Sequence, residues 1–178
     1  VADATVTIAR GAKALIAGES GSGKSTLIRA LAGIWPWGSG SIRVPSGQTI
    51  AFVPQKPYLP KGTLRSILLY PDSDRAVPDE AVTVALQRCG LGYLAKKLDL
   101  EDEDWDRILS GGERQRVAFT RLLLQKPDII VMDEATSALD EESQASLLSL
   151  FDEELAQATL ISVGHRPGLE DYHDQDRK

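Results

Sequence analysis

From Ala4 to Arg10 the chain alternates, with Val6 and Ile8 apolar and Thr5 and Thr7 polar. That period of two predicts an edge-like strand. Gly11 turns the chain, and the apolar run KALIAG (13–18) predicts a buried strand. STLIRALAG (25–33) returns its apolar residues at helical spacing, with Gly33 expected just past the last turn. WPWGSG reads as a turn, and SIRV (41–44) and TIAFV (49–53) predict short strands around Ser46–Gly47.

From Gln55 to Gln115 the strand pattern disappears. Thr63–Leu69 and Glu80–Arg88 predict helices, the second ended by Gly90. DLEDEDWD (99–106) is an acidic run, read as a solvated loop rather than a metal site. ERQRVAFTRLLLQ (113–125) predicts a helix stopped by Pro127, and DIIVMD (128–133) a fully buried parallel strand. A long helix over 141–157 and a buried strand TLISVG (159–164) follow. Strands alternating with helices imply an α/β fold with a mostly parallel sheet. The expected organisation is one domain over 1–178, with 1–54 and 127–178 forming the sheet core and about 55–126 an inserted helical subdomain.

Composition narrows the function classes. The 178 residues are 42% hydrophobic and 26% charged, ordinary for a globular chain. A net charge of -6 disfavours nucleic acid as a partner, because neutralising phosphates needs a basic face. The one cysteine, Cys89, excludes an internal disulfide framework and reads as a small core residue. No apolar run approaches the ~20 residues of a membrane helix. No charged-then-apolar leader follows Val1, so no signal peptide is expected.

GESGSGKS fits Gly-x4-Gly-Lys-Ser through Gly18, Gly23, Lys24 and Ser25, between a predicted strand and a predicted helix. Glycines let successive backbone N–H groups face one concavity, and the helix N-terminus adds unpaired N–H groups. Lys24 is expected at the β/γ-phosphates and the Ser25 hydroxyl at Mg2+. The set expected to contact a bound nucleotide is Gly18, Glu19, Ser20, Gly21, Ser22, Gly23, Lys24, Ser25 and Thr26.

Asp133 and Glu134 end the strand IIVMD, where ligands of open α/β sheets bind. Adjacent strand-end residues face different ways, so the two carboxylates can divide the work. Asp133 is expected at Mg2+ and Glu134 at the attacking water, unless Glu134 merely caps the following turn. A second glycine pair lies in LSGGERQR (109–116). Ser110 stands three residues before Glu113, the spacing of a capping box. The same Ser110, Gly111 and Gly112 can form a second anion site at a helix start.

With these motifs in order, the chain resembles the nucleotide-binding domain of the ATP-binding cassette family. The resemblance rests on GESGSGKST, Gln55 in FVPQKPYLPKGTLRSILLYP, LSGGERQR, IIVMDEATSALD and His165 in SVGHR, and it covers nearly the whole chain. It implies a P-loop ATPase core with a helical subdomain, in which two copies associate head to tail around two ATP. Each site would take the first glycine loop from one copy and Ser110–Gly112 from the other. Gln55 would sit near Mg2+ and the attacking water, His165 would contact the γ-phosphate, and Asp140 would couple the two sites. His165 also follows a buried strand closely, while His173 reads as exposed.

In this family an aromatic upstream of the first loop stacks on adenine, and residues 1–17 contain none. Trp35 and Trp37 follow the first helix, away from its phosphate-binding end, and read as packing residues. The resemblance therefore implies a domain truncated at both ends. GTLRSILLYP, GIWPWGSG and DWDRILSGGERQR look closest to exporter-type half-transporters, in particular peroxisomal acyl-CoA half-transporters and their bacterial relatives. That implies a transmembrane partner domain, a second nucleotide-binding domain and a place on the cytoplasmic face of a membrane, the bacterial inner membrane being the expected one. The alternatives are a soluble ATP-driven clamp acting on DNA or ribosomes, and a nucleotide-binding module without catalysis.

Overall fold

A computed structural model describes residues 5–19, 21–100, 104–164 and 172. Its centre is a parallel sheet of four strands, β1 (Lys13–Ile16), β2 (Ile50–Val53), β3 (Ile129–Asp133) and β4 (Thr159–Val163), in the order β1-β4-β3-β2. The two middle strands are the most buried, as strands covered on both faces must be. β4 is buried throughout, and Ile130, Val131 and Met132 of β3 are buried. All pairings are parallel, with Ile16 opposite Val163, Asp133 opposite Val163 and Val53 opposite Met132. Every strand therefore delivers its C-terminal residue to the same edge of the sheet.

One face is covered by α1 (Lys24–Leu31), whose Ile28 packs with Val131, Ile161 and Val163. The other carries α5 (Gly111–Gln125) and α6 (Glu141–Glu153), where Phe119 and Phe151 meet edge to face with centroids 5.9 Å apart. A separate apolar cluster joins α2 (Leu64–Leu69), α3 (Asp79–Arg88), a 3-10 turn over Gly92–Lys97 and α4 (Trp105–Ile108). α5 joins the two cores, since Val117 enters the helical cluster while Phe119 and Leu122 enter the sheet core.

The helix stops follow glycine as expected. Gly33 (φ 72°) and Gly90 (φ 69°) adopt left-handed backbone just past α1 and α3. Each completes a Schellman pair: Gly33 N–H to Ala30 O with Ile34 N–H to Arg29 O, and Gly90 N–H to Gln87 O with Leu91 N–H to Leu86 O. Cys89 is a core residue beside Gly90, and burial pushes its thiol up to about 11.

Several expectations do not hold. Residues 5–10 and 41–44 form no strand, and Val6 (78% exposed) and Ile42 (51%) lie in solvent. Alternation suits a strand but cannot make one without a neighbour to accept its ladder. The long helix ends at Glu153, not 157, because Leu155 turns back into the core and donates to Leu150 O. The acidic run ends inside α4 rather than in a loop, and its Trp105 is buried. Trp35 and Trp37 pack on each other at 4.8 Å, but Trp37 remains largely exposed, so the pair is not part of the core.

Replacing Phe119 by Ala removes its buried ring and the contact with Phe151. It should destabilise the fold by about 3–5 kcal/mol, read as a lowered denaturation midpoint.

Candidate functional site

The first glycine loop joins β1 to α1. Gly21 (φ 80°) and Gly23 (φ 91°) adopt backbone that a β-carbon penalises, and Gly23 is the residue from which α1 starts. No side chain caps that start, so its leading N–H groups suit an anion. Lys24 curls back over the loop, its ammonium donating to Gly18 O (2.7 Å) and Glu19 O (2.8 Å). The Ser22 N–H closes the turn on Glu19 O at 3.2 Å. Ser20 lies outside the described residues.

Parallel pairing brings the next group alongside. The Ser25 hydroxyl, in the first turn of α1, donates to Asp133 Oδ1 at 3.2 Å. A hydroxyl and a carboxylate from elements 108 residues apart thus converge at the sheet edge.

Glu134 follows with φ 48°, a left-handed conformation uncommon outside glycine that costs about 1–3 kcal/mol. It is held at both ends, its N–H donating to Val163 O (2.9 Å) and its carbonyl accepting from Ser137 N–H (3.0 Å). The Gln55 amide, just past β2, donates to Glu134 Oε2 at 3.1 Å. Gln55 and Glu134 therefore meet, although 79 residues separate them. His165 lies outside the described residues, immediately after Gly164 at the end of β4.

The second glycine pair opens α5. Ser110 accepts from Glu113 N–H (3.2 Å), and the Glu113 carboxylate accepts from Ser110 N–H (2.8 Å), so the capping box is present. The Tyr93 hydroxyl also donates to Glu113. Tyr93 and the Ser110 backbone together hold this carboxyl below the usual carboxylate range. The glycines serve a close approach as well. A β-carbon on Gly112 would stand 3.2 Å from Ala138 O, and one on Gly111 3.5 Å from the Ala138 β-carbon. Asp140 caps α6 by accepting from the Ser143 N–H (2.8 Å) and hydroxyl (2.9 Å), and Arg116 donates to the same hydroxyl at 2.6 Å.

Sequence reasoning assigned nothing to Gln115, Ser137 or Ala138, which link these loops. Gln115 did carry a signal. It precedes Phe119 and Leu122 on the buried face of α5, where an amide needs partners.

The family model described as "ABC transporter" matches residues 1–137. The chain belongs to the ABC transporter family. It carries that family's ATP-binding domain, an ATPase of the P-loop α/β class. An uncharacterized ABC transporter ATP-binding protein of Haemophilus influenzae is 44% identical over 170 residues, covering 96% of this chain and 28% of the relative. The lysosomal cobalamin transporter ABCD4 of Mus musculus is 40% identical over 188 residues, covering 97% and 30%. A solved structure of a bacterial Atm1-family ABC exporter with ATP bound superposes with a TM-score of 0.77 at 32% identity, covering 89% and 30%. The chain spans less than a third of the length of these relatives. No helix among the described residues is long and apolar enough to cross a membrane.

Glu113 has a lowered folded pKa, so its stabilisation is complete above the unfolded carboxyl value and lost as pH falls through the folded one. Glutamine can fill the same capping position without titrating. Between about pH 6 and pH 3, a window set around the ordinary glutamate value, Glu113→Gln should lose less stability than the unsubstituted protein, measured by urea midpoints at each pH.

Proposed function

We propose that this chain is the ATP-hydrolysing motor of a membrane transporter. The observation that carries the reading is the convergence of Ser25 and Asp133 beside the Gln55–Glu134 pair, at the edge where the first glycine loop lies. A phosphate-binding loop, a hydroxyl–carboxylate pair and a second carboxylate are the parts that phosphoryl transfer to water needs. Hydroxyl and carboxylate oxygens are hard donors, and Ser25 and Asp133 fit Mg2+, with Gln55 the further candidate. Bound there, Mg2+ would offset phosphate charge. Lys24, with Gly18–Thr26, would hold ATP, and Glu134 would take the proton of the attacking water. His165 is assigned to the γ-phosphate.

Residues 55–126 are assigned to the helical subdomain, and the remainder to the core. Ser110, Gly111 and Gly112 would close over ATP held by a second nucleotide-binding domain, with Asp140 near that boundary. Its capping bond to Ser143 is compatible with this, since it fixes where the loop ends. A transmembrane partner domain and a place on the cytoplasmic face of a membrane, such as the bacterial inner membrane, follow from likeness to the exporter and the half-transporter relatives. That likeness favours a transporter over a clamp on DNA or ribosomes.

Glu134→Gln keeps the shape but cannot take a proton, so ATP turnover should fall by about 10²–10⁴-fold with ATP binding retained. Turnover at the unsubstituted rate would remove Glu134 from this role. Ser110→Ala should spare ATP binding by the monomer and impair ATP-driven dimerisation and turnover, measured by equilibrium binding and light scattering. Collapse of monomer binding would instead leave Ser110 as a helix cap alone.

A further inference from the structure

Gln115 is polar yet only 1% exposed, one turn into α5 from the second glycine pair. It is fully engaged. Its Nε2 donates to Gln55 O (3.1 Å) and to the Ser137 hydroxyl (3.3 Å), and its Oε1 accepts from Ala138 N–H (3.0 Å). These bonds close a ring. Gln115 holds the Gln55 backbone, the Gln55 side chain holds the Glu134 carboxylate, the Glu134 carbonyl holds the Ser137 N–H, and the Ser137 hydroxyl returns to Gln115.

We propose that Gln115 is a positioning residue for hydrolysis, fixing Gln55 and Glu134 relative to each other and tying both to the second glycine loop. The tie is mechanical. Gly112 packs on Ala138 O at the start of α5, and Gln115 bonds Ala138 N–H one turn later. A displacement of the helix start therefore moves the loop after Glu134 at two points and the Gln55 backbone at a third. An apolar side chain of similar length would leave the Gln55 carbonyl and the Ala138 N–H without this partner and release the ring. Gln115 touches no reacting atom, so its loss should change the rate of hydrolysis more than the binding of ATP.

The proposal rests on ATP hydrolysis assisted by Glu134, and the experiment separates the two. In the purified protein, Gln115→Met should lower kcat by about 10- to 100-fold, with KM for ATP and the ATP dissociation constant within about threefold. Combined with Gln55→Ala it should be no slower than the slower single variant, because both act through one ring. An unchanged kcat, or losses that multiply, would overturn the proposal. Should Gln115→Met fail to fold, Gln115→Glu decides. Its neutral carboxyl can donate to Gln55 O while its carboxylate cannot, so its kcat relative to the unsubstituted protein should fall as pH rises. A flat ratio across pH would overturn the role. Glu134→Gln is measured alongside. If it hydrolyses at the unsubstituted rate, Glu134 has no part in hydrolysis and this proposal falls with that assignment. If it is silent while the Gln115 variants are not slowed, only the proposal fails.

Discussion

Parallel pairing of β4 between β1 and β3 is the constraint on which the site depends. Because the strands run the same way, Ile16, Val53, Asp133 and Val163 all end at one edge. The loops that follow carry the first glycine turn, Gln55, Glu134 and the approach to His165. An antiparallel neighbour in any of these places would send its loop to the opposite edge. The strand interiors supply the rigidity, since Ile130, Leu160 and Val163 are buried and leave the site at the boundary of a close-packed sheet. The left-handed backbone of Glu134 is tolerated on such a base, its N–H anchored on Val163 O.

The helical layer contributes through α5. Its apolar face is shared between two cores, so the helix cannot shift without disturbing both. Its N-terminal turn is shaped differently from the start of α1. α1 begins on Gly23 with no side-chain cap, whereas α5 begins with Ser110 and Glu113 bonded reciprocally. The two glycine-containing turns therefore differ: one leaves the first N–H groups of its helix without a side-chain cap, and the other has them engaged by its own serine and glutamate.

Much of the site was legible because its parts have local signatures. The Gly-Lys-Ser turn between strand and helix, the carboxylates at the end of IIVMD and the Ser110–Glu113 spacing each follow from short-range chemistry. The sheet was legible where burial made strands mainly apolar, as in β3 and β4. It was misread at 5–10 and 41–44, where the pattern was right but pairing depends on a neighbour that local periodicity cannot specify. The links through Gln115, Ser137 and Ala138 were missed for a related reason. They join residues 22 to 60 positions apart, and only the packed fold shows that a glutamine amide is their common point.

Cys89, set behind the Schellman turn at Gly90, has a consequence for measurement. Only a thiolate reacts readily with maleimides or disulfides, and a thiol pushed to about 11 and closed off from solvent supplies almost none at neutral pH. Within this chain the native cysteine should contribute little labelling background, so it need not be removed. A single cysteine placed on either glycine loop could then carry a spectroscopic label, and the proposed approach of a second nucleotide-binding domain could be followed as a distance.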